Sequence, residues 1–336
     1  MVDATHISFR ADDRSYFSLL KKEIHSRVSE AGFGTQKMAE IDIIVSEMTS
    51  NLFKYAIGGE ILLSYGQENG LDYFEIISID NGPGMADASK MIADGVSTTN
   101  TLGHGLGSIK RLSDKFEIYS QKGWGTIALS RIYRETPALK KRPPLEIRRL
   151  VVSKPGESVS GDGCYYEMGT DTVKILVADG LGHGIEANKA VNEAVKAFKE
   201  LHLNDPTDIV RHLHSSIKKT RGMVGTVIVY DIKTKTWKFS GIGNISMKLL
   251  NSLSSKNYIS YNGIIGHNIP TTMKAQEASN SDYNLMILCS DGIKSRWESS
   301  KYPLISKYDL SILAAALYKD FARKTDDMSV VIARSF

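Results

Sequence analysis

The chain has 336 residues, 42% hydrophobic and 24% charged, with a formal net charge of +4, the profile of a soluble globular protein of two ordinary-sized domains. No run approaches the roughly 18 apolar residues of a membrane-spanning helix, and the first residues, Met1-Val2-Asp3-Ala4-Thr5-His6, lack the basic-then-apolar pattern of a signal peptide. With only Cys164 and Cys289 a disulfide framework is not expected, and the cytoplasm is the expected location.

Residues 1–134 carry 14 Lys/Arg against 17 Asp/Glu, and residues 135–336 carry 28 against 21. The excess of base gathers partly around residues 140–149 but forms no face interleaved with aromatics, so nucleic acid is not an expected partner. Three clustered charges in the linker are too few for a membrane patch, so no membrane partner is expected either.

In chain order, Phe17, Leu20, Ile24 and Val28 recur at helical spacing and predict a helix over 12–31, stopped by Gly32. Thr35 opens a second helix to about Ala56, whose apolar stripe is Met38, Ile41, Ile44, Val45, Met48 and Leu52. Glu47 and Asn51, four residues apart, share one face of it. An antiparallel strand pair over 61–65 and 73–79 follows, ending in Asp80-Asn81-Gly82-Pro83-Gly84-Met85, an acid beside a forced turn. A loosely patterned stretch, 86–101, leads to Leu102-Gly103-His104-Gly105-Leu106-Gly107-Ser108, which opens a short helix over 108–114. Backbone N–H groups freed of side-chain bulk at a helix start suit a polyphosphate. Strands over 116–120 and 126–133 complete the half. No Gly-x-x-x-x-Gly-Lys-Ser/Thr run exists, which excludes a P-loop, and the Gly-x-Gly-x-Gly spacing follows no first strand, which argues against a dinucleotide fold.

Residues 10–134 resemble the GHKL ATPases, most closely the RsbT/RsbW-type serine kinases. Glu47 and Asn51 match the N-box, Asp80 to Gly84 the first glycine box and Gly103 to Gly107 the second. The resemblance implies a Bergerat-type α/β sandwich that binds ATP. Asn51 would hold Mg²⁺, Glu47 would be the general base, Asp80 would bond the adenine amino group and Thr126 would lie near the base. Gly82 and Gly84 belong to the adenine box, while Gly103, Gly105 and Gly107 would wrap the phosphates under a lid drawn from 86–102. A histidine kinase needs an acceptor histidine on a helical segment ahead of this domain, and His6 is not in one. Transfer in trans to Ser or Thr of a STAS-domain protein is the expectation.

Residues 135–145, rich in proline and charge, read as a semi-rigid linker. The second half is organised around Val177-Ala178-Asp179-Gly180-Leu181-Gly182-His183-Gly184, an apolar strand ending in an acid and three glycines, followed by a helix over 185–201. Leu285 to Gly292 is another apolar strand running into Asp291-Gly292, Asp326-Asp327 precede the strand over 329–333, and Ser160-Gly161-Asp162-Gly163 adds a further acid. Acids at strand–loop junctions, beside glycines that expose backbone carbonyls, are the oxygen donors that a hard divalent cation takes.

Residues 146–336 resemble the SpoIIE/RsbX branch of the metal-dependent PPM phosphatases, through Gly161-Asp162-Gly163, Ala178-Asp179-Gly180 with its Gly-His-Gly tail, Gly225-Thr226, Gly241 to Asn244, Ser290-Asp291-Gly292 and Asp326 to Val331. The resemblance implies a β-sandwich flanked by helices, giving an α+β chain overall. Asp179 would bridge two Mn²⁺ or Mg²⁺ ions with the Gly180 carbonyl as a further ligand. Asp291 and Asp326 would complete the second metal's shell, and Asp162 would bind directly or through water. His183 is expected to be structural. Together the two resemblances imply a kinase and phosphatase acting on a STAS-domain antagonist or stressosome-like protein, with a sigma-factor regulator as a further partner. The alternative is an N-terminal binding module that holds ATP without transfer.

Overall fold

The computed structural model describes residues 6–11, 17–68, 70–87, 105–137, 143–251 and 254–336. The described chain divides into two compact units, one of residues 143–299 and 317–336, the other of residues 6–137 and 300–316. Residues 300–316 thus group with the N-terminal half.

The N-terminal unit is built on one antiparallel sheet, β1 (Ile7–Arg10), β2 (Glu60–Glu68), β3 (Leu71–Ile79), β4 (Lys115–Gln121) and β5 (Gly125–Tyr133), in the order β1-β2-β3-β5-β4. Its helices are α1 (Phe17–Glu30), α2 (Thr35–Tyr55) and α3 (Gly105–Leu112). The stripes Leu20, Ile24, Val28 and Ile41, Ile44, Val45, Met48 form one core with Ile61, Leu63, Phe74, Ile76, Ala128 and Ile132 from the sheet. Strand side chains alternate between faces, so Leu62, Glu75, Ile77, Leu129 and Arg131 point the other way, and these are buried as well.

The C-terminal unit holds two five-stranded antiparallel sheets. One comprises β7 (Asp162–Met168), β8 (Thr172–Gly180), β9 (Met223–Asp231), β10 (Thr236–Ile242) and β13 (Gln276–Ser279), ordered β13-β10-β9-β8-β7. The other comprises β6 (Leu145–Val152), β11 (Ser246–Leu250), β12 (Ser255–Tyr258), β14 (Leu285–Cys289) and β15 (Met328–Ser335), ordered β12-β11-β14-β15-β6. Val173, Ile175 and Val177 of β8 face the other sheet's Met247, Met286, Leu288 and Val331. The intervening Leu176 and Ala178 pack against α4 (Ile185–Lys199) and α5 (Pro206–Ser216). Burial on both faces is why the run Val173–Ala178 is almost continuously apolar rather than alternating. The last helix, α6 (Leu310–Phe321), is apolar all round and buried from Ile312 to Tyr318. The fold is therefore mixed α and β, a sheet layered with helices and a β-sandwich flanked by them.

Two expectations shift. The short helix begins at Gly105, not Ser108, so Gly105 and Gly107 lie in its first turn. The linker reading falls partly on 138–142, and the lid reading largely on 88–102, both outside the described residues. Among the described residues no helix is long and apolar enough to cross a membrane.

Candidate functional sites

In the N-terminal unit, Glu47 and Asn51 lie one turn apart on α2, both half-buried. The start of α3 comes directly against them. A Cβ at Gly105 would stand 2.7 Å from Glu47 Oε2 and 3.7 Å from Asn51 Oδ1, so glycine is the residue that lets this helix start approach the acid. Gly107 is buried two residues on. Gly103 lies outside the described residues.

The adenine-box residues form a second knot, at the end of β3. Asp80 Oδ1 accepts from the Gly82 N–H at 2.7 Å, and the Asp80 N–H donates to the Thr126 carbonyl at 3.0 Å. The Met85 N–H donates to Ser120 Oγ at 2.8 Å, and Ser120 Oγ lies 2.9 Å from Thr126 Oγ1. Gly84, at φ +66°, runs against the Gln121 carbonyl, and Gly125, at φ +118°, against that of Asp80. The Gly123 N–H reaches the Pro83 carbonyl at 2.7 Å. The turn joining β4 to β5 is thus stitched to the box, and the structure brings Asp80, Gly82, Gly84 and Thr126 together.

In the C-terminal unit, Asp162 of β7 is the direct cross-strand partner of Asp179 on β8. Like charges opposite one another destabilise a sheet, yet both are withdrawn from water. Burial, reinforced by Asp327 and Asp291, pushes the Asp162 carboxyl up to about 7, against a hydroxyl donation from Ser290 at 2.5 Å. Burial first, and then Asp162, Asp291, Asp326 and Asp327, push Asp179 up to about 9. Five carboxylates therefore share one field, although they come from β7, β8, the end of β14 and the start of β15.

Each of Asp162's neighbours is oriented. Asp291 Oδ2 accepts from Asn244 Nδ2 at 2.9 Å, and Asp326 Oδ1 from the Asp327 N–H at 2.9 Å. Asp327 accepts from the Lys154 and Gly161 N–H groups, both at 2.8 Å, pinning the Gly161-Asp162 turn to β15. Among the described residues no three His, Cys, Asp or Glu side chains stand at metal-shell geometry. Asp162, Asp291, Asp326 and Asp327 accept hydrogen bonds from protein donors. The donor chemistry nonetheless fits a divalent cation: the side chains offer oxygen only, with Asp162 and Asp327 buried, Asp179 and Asp326 half-buried and Asp291 exposed. At Gly180 an added Cβ would strike the Ala187 carbonyl, so glycine allows α4 to cross the strand end beside Asp179.

Sequence reasoning gave no role to Ser290 and Asn244, although both lie inside motifs it singled out. It also missed Glu157, whose Oε1 lies 2.6 Å from His183 Nδ1. No periodicity or motif flags Glu157; only the folded loop puts it there.

A family described as "Stage II sporulation protein E (SpoIIE)" matches residues 169–336, half of the chain, and "Histidine kinase-like ATPase domain" matches residues 9–130. The serine/threonine-protein kinase RsbT of Bacillus subtilis (strain 168) is 41% identical over 97 residues, covering 29% of this chain and 73% of RsbT. The phosphoserine phosphatase RsbX of the same organism is 23% identical over 145 residues, covering 42% of this chain and 71% of RsbX. A crystal structure of RsbX in complex with magnesium shares the fold at a TM-score of 0.51 and 18% identity, covering 59% of this chain and 99% of that one. Strand β7 with Asp162 precedes the residues matched by the SpoIIE family, but it is joined to them by its pairing with β8. The chain belongs to the SpoIIE family, with a histidine kinase-like ATPase domain in its N-terminal half.

Proposed function

We propose that this protein is a metal-dependent phosphoserine/phosphothreonine phosphatase joined to an ATP-dependent serine/threonine kinase, both serving a partner-switching pathway with STAS-domain or stressosome-like substrates. The observation that carries the phosphatase reading is the pairing of Asp162 with Asp179 across neighbouring strands, with Asp291, Asp326 and Asp327 acting on the same pair. Similarity to RsbX, a phosphoserine phosphatase, supports the same reading.

Asp162, Asp179, Asp291, Asp326 and the Gly180 carbonyl are the groups that would hold the cations. When bound there, Mg²⁺ or Mn²⁺ would supply an activated water and charge stabilisation for the phosphoryl group. Ser290 holds Asp162 in one rotamer and Asn244 does so for Asp291, which keeps the donors in place before a cation binds. Asp327 acts as a clamp rather than as a ligand, since both of its oxygens accept backbone N–H groups. Glu157, on His183 Nδ1, favours the tautomer with the proton on that nitrogen.

In the N-terminal half, Glu47 would accept the proton of the attacking hydroxyl and Asn51 would hold the Mg²⁺ that accompanies ATP. The N-terminus of α3 would offer its N–H groups to the phosphates, and Asp80 would take the adenine amino group. Similarity to RsbT supports a protein substrate in trans.

The test is labelled ATP given to the Asp179→Asn protein in a lysate of the source organism. With the phosphatase disabled, a kinase product accumulates, and that labelled band disappears when Glu47→Ala is added to the variant. ATP binding without any labelled band defeats the kinase reading and leaves a nucleotide-holding binding module.

A further inference from the structure

Residues 300–316 are encoded between two candidate metal acids, Asp291 and Asp326, yet they are built into the ATP-binding unit. The attachment is a buried ion cluster. Arg131 of β5, fully withdrawn from water, donates from Nε to Glu75 Oε2 at 2.8 Å and from Nη1 to Asp309 Oδ2 at 3.1 Å. Its Nη2 also reaches Asp309 Oδ1 and Ser311 Oγ, each at 3.3 Å. Lys115 Nζ meets Asp309 Oδ2 at 2.5 Å, and the Asp309 N–H donates to Glu117 Oε2 at 2.6 Å. Asp309 thereby ties strands β4 and β5 to one segment, and Ser311 Oγ reaches Glu75 Oε2 of β3 at 3.4 Å.

The same segment reaches the adenine box through aromatic rings. Tyr308 packs edge-on against Tyr119 at 5.3 Å between centroids, Tyr119 against Trp124 at 5.7 Å, and Tyr302 against Trp124 at 5.8 Å. The Tyr119 hydroxyl also donates to the Pro303 carbonyl at 3.2 Å. Trp124 sits in the β4–β5 turn, where Gly123 bonds Pro83 and Gly125 abuts Asp80. A ligand that reshapes this box therefore presses on the segment's own side chains.

The base of this excursion lies beside the other site. Ile293 and Ala322 form an antiparallel bridge, the Lys294 N–H donates to the Phe321 carbonyl at 2.9 Å, and the Arg323 N–H donates to the Gly292 carbonyl at 2.8 Å. Gly292 follows Asp291 and packs directly against the Asp327 backbone. The chain therefore leaves Asp291-Gly292, visits the adenine-box turn and returns to Asp326-Asp327, with hydrogen bonds pinning its two ends to each other.

We propose that residues 300–316 are the element through which nucleotide bound in the N-terminal unit changes phosphatase turnover in the same molecule. The proposal rests on the ATP-binding reading above. It goes beyond that reading by assigning the route, and it makes the coupling a property of one chain rather than of a partner protein. Binding at two sites is linked only where a shared element responds to both, and this segment is held by one site at its tip and by the other at its base.

The test uses the full-length protein. Turnover of an aryl phosphate at saturating Mn²⁺ is measured with and without a non-hydrolysable ATP analogue, whose binding is followed by calorimetry. Wild type is compared with the double variant Lys115→Ala/Tyr308→Ala, which loosens the attachment at its less buried members, and with Arg131→Met. The expected result is a nucleotide-dependent rate change of about fivefold or more in wild type, falling below about twofold in the double variant while nucleotide affinity and basal rate stay near wild type. Should Arg131→Met fail to fold, the double variant alone carries the comparison. Nucleotide binding without a rate change in wild type, or an undiminished response in the double variant, overturns the coupling and leaves the ATP reading standing. No calorimetric binding overturns the ATP reading, and the coupling with it.

Discussion

Asp162 and Asp179 face each other across neighbouring strands, one carboxyl pushed up to about 7 and the other to about 9 by burial and by three further acids. A hydrophobic sandwich gains nothing from such a pair. Their placement stores repulsion that a divalent cation would relieve.

The stability of the metal-free protein should therefore run against pH. Asp179 keeps a proton in the folded state up to about 9, whereas the unfolded carboxyl loses it near 4. The folded state thus binds more protons throughout that window, and stability falls as pH rises through it. In EDTA the melting temperature should drop from pH 5 to pH 9. Asp179→Asn should flatten that slope and raise Tm at pH 8 by at least about 2–4 °C, the shift expected for 1 kcal/mol in a unit of this size. The same variant should lose nearly all phosphatase turnover. A pH-independent Tm in wild type would contradict the assignment.

Ser290→Ala removes the hydroxyl that holds Asp162, and Asn244→Ala frees Asp291. Each should weaken Mn²⁺ binding about 10–100-fold, as loss of an orienting partner does, with turnover largely restored at high metal. Titration of activity against Mn²⁺ distinguishes this from a loss of kcat that metal does not rescue.

Gly105→Ala places a methyl 2.7 Å from the Glu47 carboxylate, the movable end of a side chain. The protein should fold with Tm near wild type while analogue affinity falls by about tenfold, roughly 1.4 kcal/mol. Gly180→Ala instead drives a methyl into the Ala187 backbone. It should lower Tm by an amount corresponding to about 1–3 kcal/mol. Calorimetry and thermal melts on the two variants separate a site effect from a packing effect.

Cys164 and Cys289 are buried, and their thiols are pushed up to about 11 and about 12. The reactive species is the thiolate. Neither should react with a disulfide reagent at pH 8 in the folded protein, and both should titrate in guanidinium. Rapid labelling without denaturant would contradict their burial.

Much of the architecture was readable because helices and strands leave periods in a sequence. The stripes of α1 and α2 and the apolar runs of β8 and β14 are such periods, and the acids and glycines that end those strands announce chemistry. The start of α5 was readable in principle, since Asp205 caps it through Thr207 and Asp208 with Pro206 in its first turn. Helix α6 carries no comparable signal, being apolar all round and so without a face to detect.

Sequence by itself determined the two sets of side chains, because carboxylates at strand ends and glycines at a helix start are local choices. Tertiary structure alone decided three other matters: that Asp162 stands opposite Asp179, that Glu157 meets His183, and that Asp309 neutralises Arg131 from 178 residues away. Strand register and long-range ion pairing follow from which faces find cover, and no window of neighbouring residues records that.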